Sequence, residues 1–144
     1  MSYLDTIIVE NMPTAIFGEP ASSKDIAELQ NRFLLINKEL PLSYLSFLKH
    51  FNGFAWNGLE FYGTKEVFSQ ENKYTLTDLF EENMLLTQGK SPLLILGRVD
   101  DTTFAYHTEM KEFQVLELPF TEPIDTYDDF KKMFEDALDD LLVY

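Results

Sequence analysis

The order in which hydrophobic periods follow one another constrains this chain more than any other feature. Ser22 with Asp25 three residues on is a capping-box signal, and Ile26, Leu29, Phe33 and Ile36 then recur on one helical face, predicting a helix over 23–37. Pro41 suits the first turn of a second helix, 42–52, with Tyr44, Leu45, Leu48 and Phe51 on one side and Asn52-Gly53 as its stop. Short runs on either side of Asn57-Gly58 predict a hairpin, because that dipeptide adopts the left-handed conformations a two-residue type I′ turn needs. Thr75 and Asp78 repeat the capping spacing before Leu76, Leu79, Phe80 and Met84, which predicts a third helix ending near Gly89.

Beyond Pro92 the runs become short and β-rich: Leu93–Leu96, Thr103–His107 and Phe113–Leu118, separated by Gly97–Asp101 and Thr108–Glu112. These predict an antiparallel meander over 93–118. Thr126 with Asp129 then caps a closing helix, 127–142, whose Tyr127, Phe130, Phe134, Leu138 and Leu141 form an apolar stripe. Tyr3, Leu4, Ile7 and Ile8 allow a short helix at the start. Helices, an antiparallel sheet and a final helix together predict an α+β fold in two layers, a β-meander packed against N-terminal helices and a C-terminal helix. Its expected core is Ile26, Leu29, Phe33, Tyr44, Leu48, Phe51, Phe61, Leu94, Leu96, Phe104, Phe130, Phe134 and Leu138. At 144 residues without repeats, one domain spanning 1–144 accounts for the chain.

Composition narrows the chemistry. With no cysteine, disulfides, thiolate metal sites and a Cys nucleophile are excluded. The first basic residue is Lys24 and no apolar run reaches the about 18 residues of a membrane span, so a cytoplasmic location and no membrane association are expected. The six glycines never take the spacing of a phosphate loop or dinucleotide fingerprint, and no Gly-x-Ser-x-Gly elbow exists. His50 and His107 are the only imidazoles and form no zinc motif; an Asp100, Asp101 and His107 cluster across a hairpin competes with a plain solvated turn. Asp125, Asp128 and Asp129 lack the glycine and bidentate glutamate of a calcium loop. No catalytic residue, metal or cofactor is expected.

Net charge is −14, and residues 117–144 hold nine acids against two lysines, a net of −7. Such a field repels nucleic acid and speeds encounter with basic proteins, although acidity also serves solubility alone. Asp128, Asp129, Asp136, Asp139 and Asp140 on the closing helix, Asp100 and Asp101 in the meander, and Trp56 with Glu60 beside the Asn-Gly turn are the candidate partner-binding residues. Trp56 is included because a large amphipathic ring beside a turn often anchors an interface.

The joint order of Leu40-Pro41 opening a helix through Tyr44, Phe47 and Leu48, then Phe51-Asn52-Gly53, Phe61-Tyr62-Gly63, Pro92 to Gly97, Asp100-Asp101 with Phe104 to His107, and a final helix opening at Tyr127 to Phe130 resembles the SUKH superfamily. That group includes the yeast regulator of glucan synthesis and killer-toxin resistance and many bacterial immunity proteins. The resemblance implies a non-enzymatic protein-binding domain that neutralises a basic toxin or nuclease domain, or, in the fungal manner, a regulatory scaffold. A carboxylate-based enzyme or small-ligand binder is the remaining alternative.

Overall fold

The computed structural model describes residues 15–117 and 122–142; the short helix expected at Tyr3–Ile8 and the strand end at Leu118 lie outside them. In chain order the elements are β1 (Ile16–Phe17), α1 (Ser23–Leu34), α2 (Leu42–Leu48), β2 (Phe54–Trp56), β3 (Leu59–Phe61), β4 (Val67–Ser69), β5 (Tyr74–Leu76), α3 (Leu79–Thr87), β6 (Leu93–Val99), β7 (Thr102–His107), β8 (Glu112–Glu117), β9 (Asp125–Tyr127) and α4 (Phe130–Leu142). Seven strands form one antiparallel sheet in the order β1-β2-β3-β6-β7-β8-β9, and β4 with β5 forms a separate two-stranded sheet. The fold is α+β, with the sheet packed against helices. No helix among the described residues is long and apolar enough to cross a membrane.

The core is built on aromatic rings. Phe47 of α2 meets Phe61, Phe130 and Phe134, and Phe130 in turn meets Tyr44, Phe61 and Phe113, with ring centroids 4.7–6.2 Å apart. These contacts fix α2 and α4 on the sheet face that presents Phe54, Phe61, Phe104 and Phe113. All thirteen residues expected in the core are buried. The other face is not open to water either: Ile95, Ala105 and Leu116, which alternation directs away from α4, are buried too.

Helix and strand limits depart from the sequence reading in several places. The helix expected over 23–37 ends at Leu34. The 42–52 helix stops at Leu48, because Asn52 leaves it to donate its N–H to the Gly18 and Glu19 carbonyls. Gly53 nonetheless takes the expected positive φ, +96°. Residues 97–99, expected as part of a turn, continue β6 across a bulge between Ile95 and Gly97, leaving Asp100-Asp101 as the two-residue connection to β7. Thr75 and Thr126 do not cap helices; they lie in β5 and β9. The caps are the aspartates three residues on: Asp78 accepts from the Glu81 N–H and Asp129 from the Lys132 N–H, both at 3.1 Å. Ser22 does cap α1 as read, accepting from the Asp25 N–H.

Two buried asparagines hold the elements in place. Asn52 accepts from the Thr64 N–H at 2.6 Å and donates to the Thr64 hydroxyl at 2.8 Å, tying the end of the α2 segment to the end of β3. Asn83 of α3 does the work of a missing strand. β3 pairs with β6 only at residues 97–99, so the edge of β6 is open at Ile95. The Asn83 carboxamide accepts from the Ile95 N–H at 2.8 Å and donates to its carbonyl at 2.9 Å, as a neighbouring strand would. The Tyr44 hydroxyl, buried beneath the same junction, donates to the Tyr62 carbonyl.

Candidate interaction surface

The β3–β6 pairing, with Leu59 opposite Val99, sets the Asn57-Gly58 and Asp100-Asp101 turns side by side at one end of the sheet. Asn57 and Gly58 have φ of 50° and 89°, both positive as the type I′ turn requires, and Asp100 has φ 51°. All four turn residues are exposed. Trp56 is half-buried: its inner part packs on the core while the residue sits next to the exposed turn. Trp56, Asp100 and Asp101 therefore occupy one continuous rim.

Helix α4 advances across the sheet toward that side. Phe130 touches Phe113 of β8, whereas Phe134, one turn later, touches Phe54 of β2. The exposed Asp139 and Asp140 follow on the last turns, so they lie on the β2 side of the molecule. Asp128 and Asp129 are exposed at the opposite end of the helix, about 15 Å away at 1.5 Å per residue. Their roles differ, since Asp129 is engaged as the N-cap.

Asp136 is partly engaged within the chain. The Tyr127 hydroxyl donates to it at 2.9 Å and the Lys132 ammonium lies 3.1 Å away. The Tyr127 hydrogen bond, helped by Lys132, holds its carboxyl below the usual range. Tyr127 is pushed up, first by burial and then by that hydrogen bond. Lys131 pairs with Glu135 at 3.9 Å, so both lysines of the helix are turned toward its own acids.

Glu60, expected beside the Asn-Gly turn as a partner-binding residue, is instead only 9 % exposed. Its carboxylate accepts from the Tyr74 hydroxyl at 2.7 Å and the Thr77 N–H at 2.8 Å, fastening the β4–β5 hairpin to the main sheet. Alternation places Glu60 opposite its neighbour Phe61, and the hairpin covers that side. Burial, and next the bond to Glu60, raise the Tyr74 pKa above its ordinary value. With a hydrogen bond on each oxygen and the hairpin over it, the Glu60 carboxylate faces the β4–β5 hairpin and not a partner.

Asp100 and Asp101 stand at one end of β7 and His107 at the other, about 17 Å along a six-residue strand, so the three do not gather into a cluster. The His107 ring is already engaged, its Nδ1 accepting from the Met110 N–H at 3.0 Å. A feature the sequence did not disclose is a cleft of about 610 Å³ between β1 and the β4–β5 hairpin, lined by Phe17, Asp25, Lys65, Val67 and Leu76 among others. Lys65 and Asp25 pair across it at 3.7 Å. The cleft was not foreseen because β1, β4 and β5 are only two or three residues long and carry no periodic signal. No model of a known protein family and no characterised protein matches this chain.

Proposed function

We propose that this chain is a SUKH-type protein-binding domain that acts in the cytoplasm, without catalysis, by binding and neutralising a basic protein in the manner of toxin-immunity proteins. The observation that carries this reading is the rim at the end of the sheet, where half-buried Trp56 stands beside the exposed Asp100-Asp101 turn, with Asp139 and Asp140 free on the same side of the molecule. A half-buried aromatic with exposed acids on the same side suits a partner that presents a cationic surface, and a net charge of −14 steers such a partner from a distance. The family part of the reading draws support from Asn52. Its side chain links the Phe51-Asn52-Gly53 and Phe61-Tyr62-Gly63 segments, two of the motifs on which the SUKH resemblance rests, through Thr64.

The test is capture of partners from the cell's own lysate on immobilised protein at low salt, elution at high salt, and assay of the eluted protein's activity with and without this chain. Stoichiometric inhibition, lost when Trp56 and Asp100-Asp101 are changed to Ala and Asn, supports neutralisation. A captured protein whose activity is untouched points instead to the regulatory scaffold, and salt-independent capture rules out the electrostatic part of the proposal.

A further inference from the structure

The chain contains two Asn-Gly pairs, and the structure treats them in opposite ways. Asn52-Gly53 is buried; the Asn52 carboxamide is held by Thr64 on both its oxygen and its nitrogen. Asn57-Gly58 is exposed at the tip of a hairpin of three-residue strands, and no hydrogen bond from the described residues engages the Asn57 carboxamide. Among the described residues, nothing but its chain neighbours lies within 4 Å of the position a β-carbon on Gly58 would take. We propose that Asn57 is a site of spontaneous deamidation, converting to aspartate and isoaspartate in the folded protein, while Asn52 is protected.

The chemistry needs only water. The Gly58 backbone nitrogen attacks Cγ of Asn57 as its own proton is lost; the Cγ–Nδ2 bond breaks, ammonia leaves with the proton, and a five-membered succinimide remains. Water then opens the ring at either carbonyl, giving aspartate or, with the main chain rerouted through Cβ, isoaspartate. Attack requires the Asn57–Gly58 peptide to rotate until its nitrogen faces the carboxamide. A glycine without a β-carbon, in open space, permits that rotation at a residue where any other side chain would resist it. At Asn52 the same rotation would break both hydrogen bonds to Thr64 and drive the chain into Gly63, whose Cβ position is 2.7 Å from the Asn52 carbonyl oxygen. The product adds a negative charge beside Asp100-Asp101, and isoaspartate also lengthens the main chain inside a turn whose two residues set the Trp56–Leu59 register.

The internal controls are built in, because Asn37 and Asn72 are exposed but followed by lysine. The full-length protein is incubated in mildly alkaline buffer, native in one arm and in denaturant in the other, and mapped by proteolysis and mass spectrometry with aspartyl and isoaspartyl peptides separated. In the native arm, residue 57 is expected to accumulate both acids while residues 37, 52 and 72 keep their amides; in denaturant, residue 52 converts alongside 57. An Asn57 amide that survives in the native protein over the time in which it is lost in denaturant overturns the proposal, as does equal conversion of Asn52 and Asn57 in the native protein.

Discussion

Where the aromatic core does not reach, single buried polar residues decide how the elements of this protein meet. Asn83 is 1 % exposed and supplies both hydrogen-bond partners of the Ile95 peptide groups. Asn83→Ala leaves a buried donor and a buried acceptor unpaired, which should cost about 2 kcal/mol or more in urea unfolding. It should also abolish the exchange protection of the Ile95 amide; retained protection would mean that another group closes the edge of β6. Gly53 and Gly63 make a second pair of tests with different physics. Gly53→Ala meets only ordinary contacts at 3.5 Å, so its expected loss of about 1 kcal/mol comes from the positive φ. Gly63→Ala forces a β-carbon to 2.7 Å from the Asn52 carbonyl and should cost more, about 1–3 kcal/mol. If the two substitutions proved equal in denaturation midpoint, the close approach at Gly63 would not be rigid. None of these asparagine roles was legible in the sequence: a mid-helix Asn lowers helix propensity slightly and says nothing of the strand it will meet.

At the scale of elements, the sequence disclosed long amphipathic segments and missed short strands. Helix α1, the β2–β3 hairpin and the meander follow from periodicity and turn chemistry, which act locally. The strands β5 and β9 were lost because Tyr74-Thr75-Leu76 and Asp125-Thr126-Tyr127 each precede a capping Asp by one or two residues. In both segments a Thr-x-x-Asp spacing imitates a capping box whose true cap is its last member. The pairing that makes these residues strands comes from the preceding strands β4 and β8, and runs of three residues carry no periodic signal of it. The distinction is measurable. Asp129→Ala should cost about 1 kcal/mol through the uncapped Lys132 N–H, whereas Thr126→Ala, at an exposed edge position, should stay within about 0.5 kcal/mol. Similar losses at both sites would restore Thr126 as the cap. The candidate surface was legible in part for the same reason: turn residues Asp100 and Asp101 are exposed by local chemistry, while the burial of Glu60 depends on the β4–β5 hairpin folding over it.

For the whole molecule, pH and salt act on a chain with many more acids than bases. Tyr44, Tyr62 and Tyr74 all have pKa values raised, in each case first by burial. In the unfolded chain they ionise near pH 10, so above that pH the unfolded state gives up protons that the folded state keeps. Stability should be undiminished by these groups below about pH 10 and fall as pH rises further, with the last three of the seven tyrosinates appearing together with unfolding. Ionisation of more than four of the seven tyrosines ahead of any loss of secondary structure would show that these hydroxyls reach water in the native state. Near neutrality the governing term is self-repulsion. A net charge of −14 disfavours the compact state, and Asp139 and Asp140 add to it without any hydrogen bond or ion pair of their own among the described residues. Added salt screens charges beyond a Debye length, about 10 Å at 0.1 M, so the thermal midpoint should rise with ionic strength. Changing Asp139 and Asp140 to Asn should raise the midpoint at low salt and flatten that rise, because two uncompensated charges are gone, while neither the Asp129 cap nor the Tyr127–Asp136–Lys132 contacts are touched. The comparison is a thermal melt of both proteins at two ionic strengths. A variant that melts lower than the parent at low salt would mean that these carboxylates stabilise the fold through contacts of their own, and they could not then serve as the free charges that a basic partner meets first.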